Sequence, residues 1–339
     1  MTATDARLPA AGGKRRRGGR GEQPMVPDAA FTSYYGRPVV KPSPWSADIP
    51  AYFFLGGLAA GSSLLGAGAD LTGRPGLRRA SRATALAAIT LGFAALVHDL
   101  GRPARFHHML RVAKVTSPMS VGTWILTVYG PAAALAASGE AAGLLPGGGL
   151  LRRGLPGAGR AAGLLAAATA PGGAAYTAVL VTDTATPTWN GMRRDLPVVF
   201  AASAAAAAGG AGMLLSPIEE ADVARRMAVA GAVTDLAVSR RMESSMGLLG
   251  EPLHEGAAGR YLRTARALTG GGALLAAVAG RRSRAASAVA GASLLAGSWC
   301  TRFGIFHAGQ QSARDPRYTV VPQQERVAAG QSTRSPRHG

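Results

Sequence analysis

Eight apolar stretches of membrane-spanning length recur along this 339-residue chain, at about 49–69, 83–100, 119–138, 161–182, 196–216, 224–239, 262–279 and 285–306. The first runs 21 residues; at about 1.5 Å per helical residue that is roughly 30 Å, one hydrocarbon thickness. Inside lipid the backbone must satisfy its own hydrogen bonds, so segments of this kind fold as helices. The predicted fold is an all-α integral membrane protein, a bundle of about eight transmembrane helices over residues 48–310. A polar, basic and largely disordered tail at 1–47 precedes it, and a polar tail at 311–339 follows. The sixth stretch is the weakest. It is short, carries Asp235 and is bounded by Arg225-Arg226 and Arg240-Arg241, and an interfacial helix is the alternative there.

Composition supports the membrane reading. Hydrophobic residues make up 47% of the chain and charged residues only 16%, against about 25% charged in an ordinary soluble domain. The net charge of +19 would fit a nucleic-acid partner, but the arginines fall in short clusters between apolar stretches, which is the layout of membrane loops. No nucleic-acid partner is therefore expected; membrane lipid is. With eight spans, the tails and even-numbered loops carry 25 of the 37 Lys and Arg residues and the opposite side 12. The basic excess places both termini in the cytoplasm and the chain in the cell membrane.

The single cysteine, Cys300, excludes an intrachain disulfide and a cysteine-ligated iron–sulfur cluster held by this chain alone. The six histidines are His98, His107, His108, His254, His307 and His338. All lie at helix ends, in loops or in the tail, so no facing pair is expected to hold haem, and no metal site is expected. Small residues crowd the helices: Gly57-Leu-Ala-Ala-Gly61 permits close helix approach, as does the run 201–212.

Ionisable groups at a hydrocarbon edge are costly and mark function. His98-Asp-Leu-Gly-Arg-Pro-Ala-Arg105 ends the second apolar stretch, and Ser117-Pro-Met-Ser-Val-Gly-Thr-Trp124 opens the third. If the helix continued, His98, Arg102 and Arg105 would share one face. Asp99 and Arg102, three apart, would pair on its surface. On the same predicted rim stand Trp45, Asp48 and Tyr52, then Ser120 and Thr123, then Asp183, Thr184, Thr186, Trp189 and Asn190, then Arg302 and His307. Such a ring of donors and acid–base groups suits a quinone headgroup, whose turnover moves two protons with two electrons. Asp235 is read as pairing with Arg240 or Arg241 at the surface; the alternative is an intramembrane acid.

These segments carry a resemblance. Trp45-Ser-Ala-Asp-Ile-Pro-Ala-Tyr-Phe-Phe-Leu-Gly-Gly-Leu-Ala-Ala-Gly61, Asp99-Leu-Gly-Arg-Pro-Ala-Arg-Phe106, Ser117–Trp124, Pro187-Thr-Trp-Asn190, Leu196-Pro197 with Phe200-Ala-Ala-Ser203, and Arg302-Phe-Gly-Ile-Phe-His-Ala-Gly309 resemble the NrfD-like family, the membrane subunits of polysulfide reductase and related molybdopterin oxidoreductases. The resemblance spans about residues 45–322. It implies a haem-free bundle, of the kind used in anaerobic respiration, that exchanges electrons between menaquinone or ubiquinone and a four-cluster ferredoxin-like iron–sulfur subunit. That subunit would connect to a molybdopterin (Mo/W) catalytic subunit, of formate-dehydrogenase or polysulfide-reductase type.

Carried over, the quinone-binding and proton-transfer candidates are Asp48, Tyr52, His98, Asp99, Arg102, Arg105, Thr123 and Trp124. The partner-docking candidates are Tyr34, Tyr35, Trp45, Trp189 and Arg302. An ion- or proton-translocating bundle and a purely structural anchor are the alternatives. The basic asymmetry predicts that reporter fusions at residues 20 and 330 both read cytoplasmic; a periplasmic signal from either would overturn the orientation.

Overall fold

A computed structural model describes residues 38–144 and 149–328, and these are helical, with no strand among them. Eight helices have 20 residues or more: α1 (Asp48–Leu71), α2 (Pro75–Asp99), α3 (Pro118–Glu140), α4 (Leu150–Thr182), α6 (Leu196–Leu215), α7 (Asp222–Ser245), α8 (Gly256–Val278) and α9 (Arg284–Arg314). Two short helices, α5 (Pro187–Gly191) and α10 (Arg317–Ala328), complete the set. Five of the long helices, α1 to α4 and α6, are both long and apolar enough to cross a membrane.

Each of the eight expected stretches falls within or largely within one long helix, but several helices start earlier than the apolar runs. α2 begins at Pro75 rather than 83, and α4 at Leu150 rather than 161. The added turns contain Arg78, Arg79 and Arg82 on α2 and Arg152, Arg153 and Arg160 on α4. Apolar patterning detects only the apolar run, whereas the backbone hydrogen bonds of the helix continue past it into charged sequence. At the far end α9 runs past residue 310 to Arg314, and α10 occupies part of the expected tail.

Helix ends follow local chemistry. Proline opens α2, α3 and α5, where its missing N–H costs nothing. Ser117 and Ser283 cap α3 and α9, accepting from Ser120 N–H and Ala286 N–H. The Arg284 guanidinium donates to the carbonyls of Met213 and Ser216, closing the C-terminus of α6 from a neighbouring helix.

Close packing is made by small residues. A Cβ on Gly61 would come within 2.8 Å of the Ala204 carbonyl oxygen, and Gly57 faces Ala204 as well, so α1 lies directly on α6. Gly209 and Gly231 bring α7 equally close, and Gly210 meets Gly291 of α9. α6 is therefore the central helix, with most of its residues buried.

Ser43 at one face of the bundle is joined to α9: Gln310 Nε2 donates to its carbonyl at 2.9 Å. The beginning of α1 and the end of α9 thus share a face. At the opposite face an ion-pair network ties α1 to α4. Glu140 accepts from Arg78 Nε at 2.6 Å and Arg82 Nη1 at 2.7 Å, while Asp70 faces Arg78 and Arg160 at 3.1 and 3.0 Å. The Arg82 side chain is buried. Removing one member of a buried pair strands the other charge. Glu140→Ala is expected to lower stability by about 3 kcal/mol, read as a drop in the thermal unfolding midpoint of the purified protein. Arg79→Ala, which removes an exposed guanidinium, should cost under about 1 kcal/mol.

Candidate functional site

The candidate site lies at the face where α1 begins and α2 ends. A cavity of about 170 Å3 opens there, lined by Trp45, Ile49, Tyr52, Phe53, Leu96, Asp99, Leu100, Met109, Met119, Thr123, Leu126, Tyr176 and Leu180. Most of the wall is apolar; Asp99, Thr123 and the two tyrosines supply its polar side-chain groups.

Tyr52 and Tyr176 meet hydroxyl to hydroxyl, from α1 and α4. One glycine is tied to this arrangement: a Cβ on Gly122 of α3 would fall 2.1 Å from the Tyr176 ring. The bare Gly122 position therefore lets the Tyr176 ring come up against α3.

At the mouth, Ser46 connects two carboxylates. Its N–H and Oγ lie 3.0 and 2.7 Å from Asp99 Oδ1, and its Oγ lies 3.0 Å from Asp48 Oδ2. Asp48 Oδ2 also lies 2.7 Å from His98 Nδ1. The His98 side chain is 80% exposed. Asp99 in the cavity wall is thus linked through Ser46 and Asp48 to a histidine in open solvent. Ser46 Oγ has one proton, so it serves one carboxylate at a time.

The expected ring of rim residues separates into two groups. Asp48, Tyr52, His98, Asp99 and Thr123 come together here. Arg102 and Arg105 do not share a helical face with His98. α2 stops at Asp99, and Gly101 takes φ +65°, a left-handed conformation that ends the helix. Both arginines are exposed on the segment that follows. The helical geometry expected for an Asp99–Arg102 pair is absent. Trp124 points away from the cavity, 41% exposed, with Nε1 donating to the Val112 carbonyl.

Other rim residues are engaged in local structure. Ser120 Oγ donates to the Val112 carbonyl, Asn190 Nδ2 to the Thr182 carbonyl and Thr184 Oγ1 to the Val181 carbonyl.

Two docking expectations are corrected. Trp189 and Arg302 are each 1% exposed and cannot touch a partner. Trp189 Nε1 donates to the Ile305 carbonyl, and its indole fills the space above Gly309. Arg302 donates to the Phe200 carbonyl at 2.8 Å and lies over the Phe200 ring. Trp45 is half-buried and stacks on Trp189 at 5.8 Å. Tyr34 and Tyr35 lie outside the described residues. Asp235 is a further correction. It is buried on α7 and accepts from Ser239 Oγ, whereas Arg241 pairs with Asp195.

Tyr176 and Ser46 were missed. Tyr176 is the one aromatic residue of α4, a signal that was available in the sequence. Ser46 had none, because its role depends on two helices meeting.

The fold and this rim site define a helical membrane protein with a small, mostly apolar cavity opening near one face. The family model for polysulphide reductase, NrfD, matches residues 39–249, more than half of the chain, and the protein belongs to that family. Its members are membrane subunits of molybdopterin oxidoreductase complexes. The match covers α1 to α7, so the Arg302–Gly309 segment lies beyond it. A search of curated proteins finds no match.

Gly122→Ala is expected to push the Tyr176 ring off α3 and cost about 1–3 kcal/mol through overpacking, measured by thermal unfolding. Adding Tyr176→Ala should relieve the clash and make the cost of Gly122→Ala smaller than in the wild-type background.

Proposed function

We propose that this chain is the quinone-reactive membrane subunit of a molybdopterin oxidoreductase complex, passing electrons between a menaquinone or ubiquinone and an iron–sulfur subunit, without haem. The observation that carries this is the link from the cavity wall to solvent through Asp99, Ser46, Asp48 and His98. Ligand pockets typically measure about 300–1,000 Å3. A cavity of about 170 Å3 accommodates a ring-sized headgroup, with an isoprenoid tail left outside in lipid. Tyr52 offers a hydroxyl to a ring oxygen, and the apolar wall excludes water from it.

A bound quinone supplies two-electron, two-proton redox chemistry. The chain's part is to hold the ring and move protons. Asp99 takes up or delivers a proton at the wall, Ser46 exchanges it with Asp48, and His98 trades it with water.

The partner would be a four-cluster ferredoxin-like subunit joined to a molybdopterin (Mo/W) subunit. Its docking surface is proposed at the same face, over a cleft of about 550 Å3 whose lining includes Ser43, Trp45, His307, Gln310, Gln311 and Arg314. Trp45 lines both this cleft and the quinone cavity. Eight spans with both termini cytoplasmic complete the reading.

A second reading, ion or proton translocation through the bundle, is favoured by one observation. Asp235 and Arg302 are charged groups buried among the long helices, and Arg302 Nε and Nη1 have no hydrogen-bond partner among the described residues.

Asp99→Asn removes the proton acceptor while preserving shape. Quinone-linked turnover of the assembled complex should fall at least about tenfold, an effect of about 1.4 kcal/mol on the barrier, while artificial-dye activity of the soluble partner stays unchanged. Full quinone-linked turnover in an assembled Asp99→Asn complex would place the pocket elsewhere. The purified subunit should show no Soret band.

A further inference from the structure

The segment from Leu100 to Met119 joins α2 to α3 and takes in the first two residues of α3. Its 3₁₀ helix, Pro103–Arg111, has no buried residue. Between Asp99 and Glu140 the chain contains no acid at all, yet Arg102, Arg105, Arg111 and Lys114 fall there. Among the described residues, Arg105, Arg111 and Lys114 form no ion pair, in contrast with Arg78, Arg82, Arg225, Arg241 and Arg266. Desolvation, with Arg111, His107 and Arg105 close by, holds the pKa of His108 below its ordinary value. Arg105, Arg111 and Lys114 thus gather here without an acidic partner among the described residues.

Large apolar side chains are exposed alongside. Phe106 is 51% exposed, Val112 58%, Val115 89% and Met119 51%. Exposed apolar groups beside clustered, exposed cations are the composition of a segment lying in a membrane interface, with its apolar side in acyl chains and its charges at anionic headgroups.

Position decides between lipid and a protein partner. α2 and α3, which carry this segment, are only 33% buried along their apolar windows, against 72% for α1 and α6. The segment therefore hangs at the lipid-facing edge of the bundle, and the described lining of the cleft at Ser43 and Gln310 takes no residue from it. We propose that Leu100–Met119 is an interfacial strap that binds anionic phospholipid, its arginines and Lys114 on headgroup phosphates and Phe106, Val112 and Val115 in the upper acyl region. Leu100, Met109 and Met119 also line the cavity, so lipid contact sets the position of its mouth. That last consequence rests on the quinone reading; the lipid contact does not.

The test uses the full chain with Cys300→Ser and Val115→Cys, labelled with an environment-sensitive fluorophore. It is reconstituted in nanodiscs of phosphatidylcholine alone or mixed with phosphatidylglycerol. In mixed discs the emission should shift to the blue, and nitroxide lipids labelled near the headgroup should quench it several-fold more than in neutral discs. Arg111→Gln with Lys114→Gln should abolish the difference between lipids without moving the unfolding midpoint, since both residues are exposed. No quinone is present, so the outcome is independent of quinone chemistry. A probe that reads the same in both lipids would overturn the proposal. So would a probe that stays in water and shifts only when the soluble oxidoreductase subunits are added, an outcome that would assign the strap to a protein partner.

Discussion

Close approach of backbones at α6 is the interaction on which the remaining structure depends. Lipid is as apolar as leucine, so helices in a bilayer gain little by hiding leucines from it, and van der Waals contact between near backbones must hold them. α6 provides that contact on several sides. Ala204 and Ala208 receive Gly57 and Gly61 of α1, Gly209 receives α7, and Gly210 receives Gly291 of α9. A side chain at any of these glycines would separate two helices. Because α1 is held against α6, its first turn has a defined place, and Asp48 and Tyr52 inherit it.

The same close contact explains the buried arginine. A Cβ on Gly57 would meet Arg302 Nη2 at 3.4 Å, and that nitrogen donates to the Phe200 carbonyl. The guanidinium thus fits where α1, α6 and α9 converge, at van der Waals distance from the Gly57 position. Placing such a charge inside the bundle is expensive, so its partners matter more than those of a surface arginine. Arg302 lies over an aromatic ring, which offsets part of that cost.

At the rim the decisive constraint is different. Helix ends release backbone groups that must find partners, and much of the polar chemistry visible in the sequence is used for that purpose. Ser117 caps α3, and Asn190 and Thr184 serve the carbonyls at the end of α4. What remains for function is the smaller set whose partners come from a second helix: Asp99 and Ser46, Asp48 and His98, Tyr52 and Tyr176.

Hydropathy and local signals in the sequence by themselves determined the membrane class, the places of the eight long helices and the glycine positions that let them pack. These properties depend on neighbouring residues: a run of apolar side chains must leave water, and Gly57-Leu-Ala-Ala-Gly61 presents one bare stripe whatever it meets. The helix ends were less legible, because Arg78 and Arg82 end an apolar run without ending α2. Tertiary structure alone decided which polar residues would be functional. Trp189 and Arg302 read as rim residues from their place in the chain, yet the crossing of α1, α6 and α9 buries one and the contact with Gly309 buries the other. Asp235 read as a surface partner of Arg240 or Arg241, but Arg241 pairs with Asp195 and Asp235 lies inside. A residue's spacing says which side of its own helix it occupies. Whether that side meets lipid, water or another helix is set by where the other helices lie.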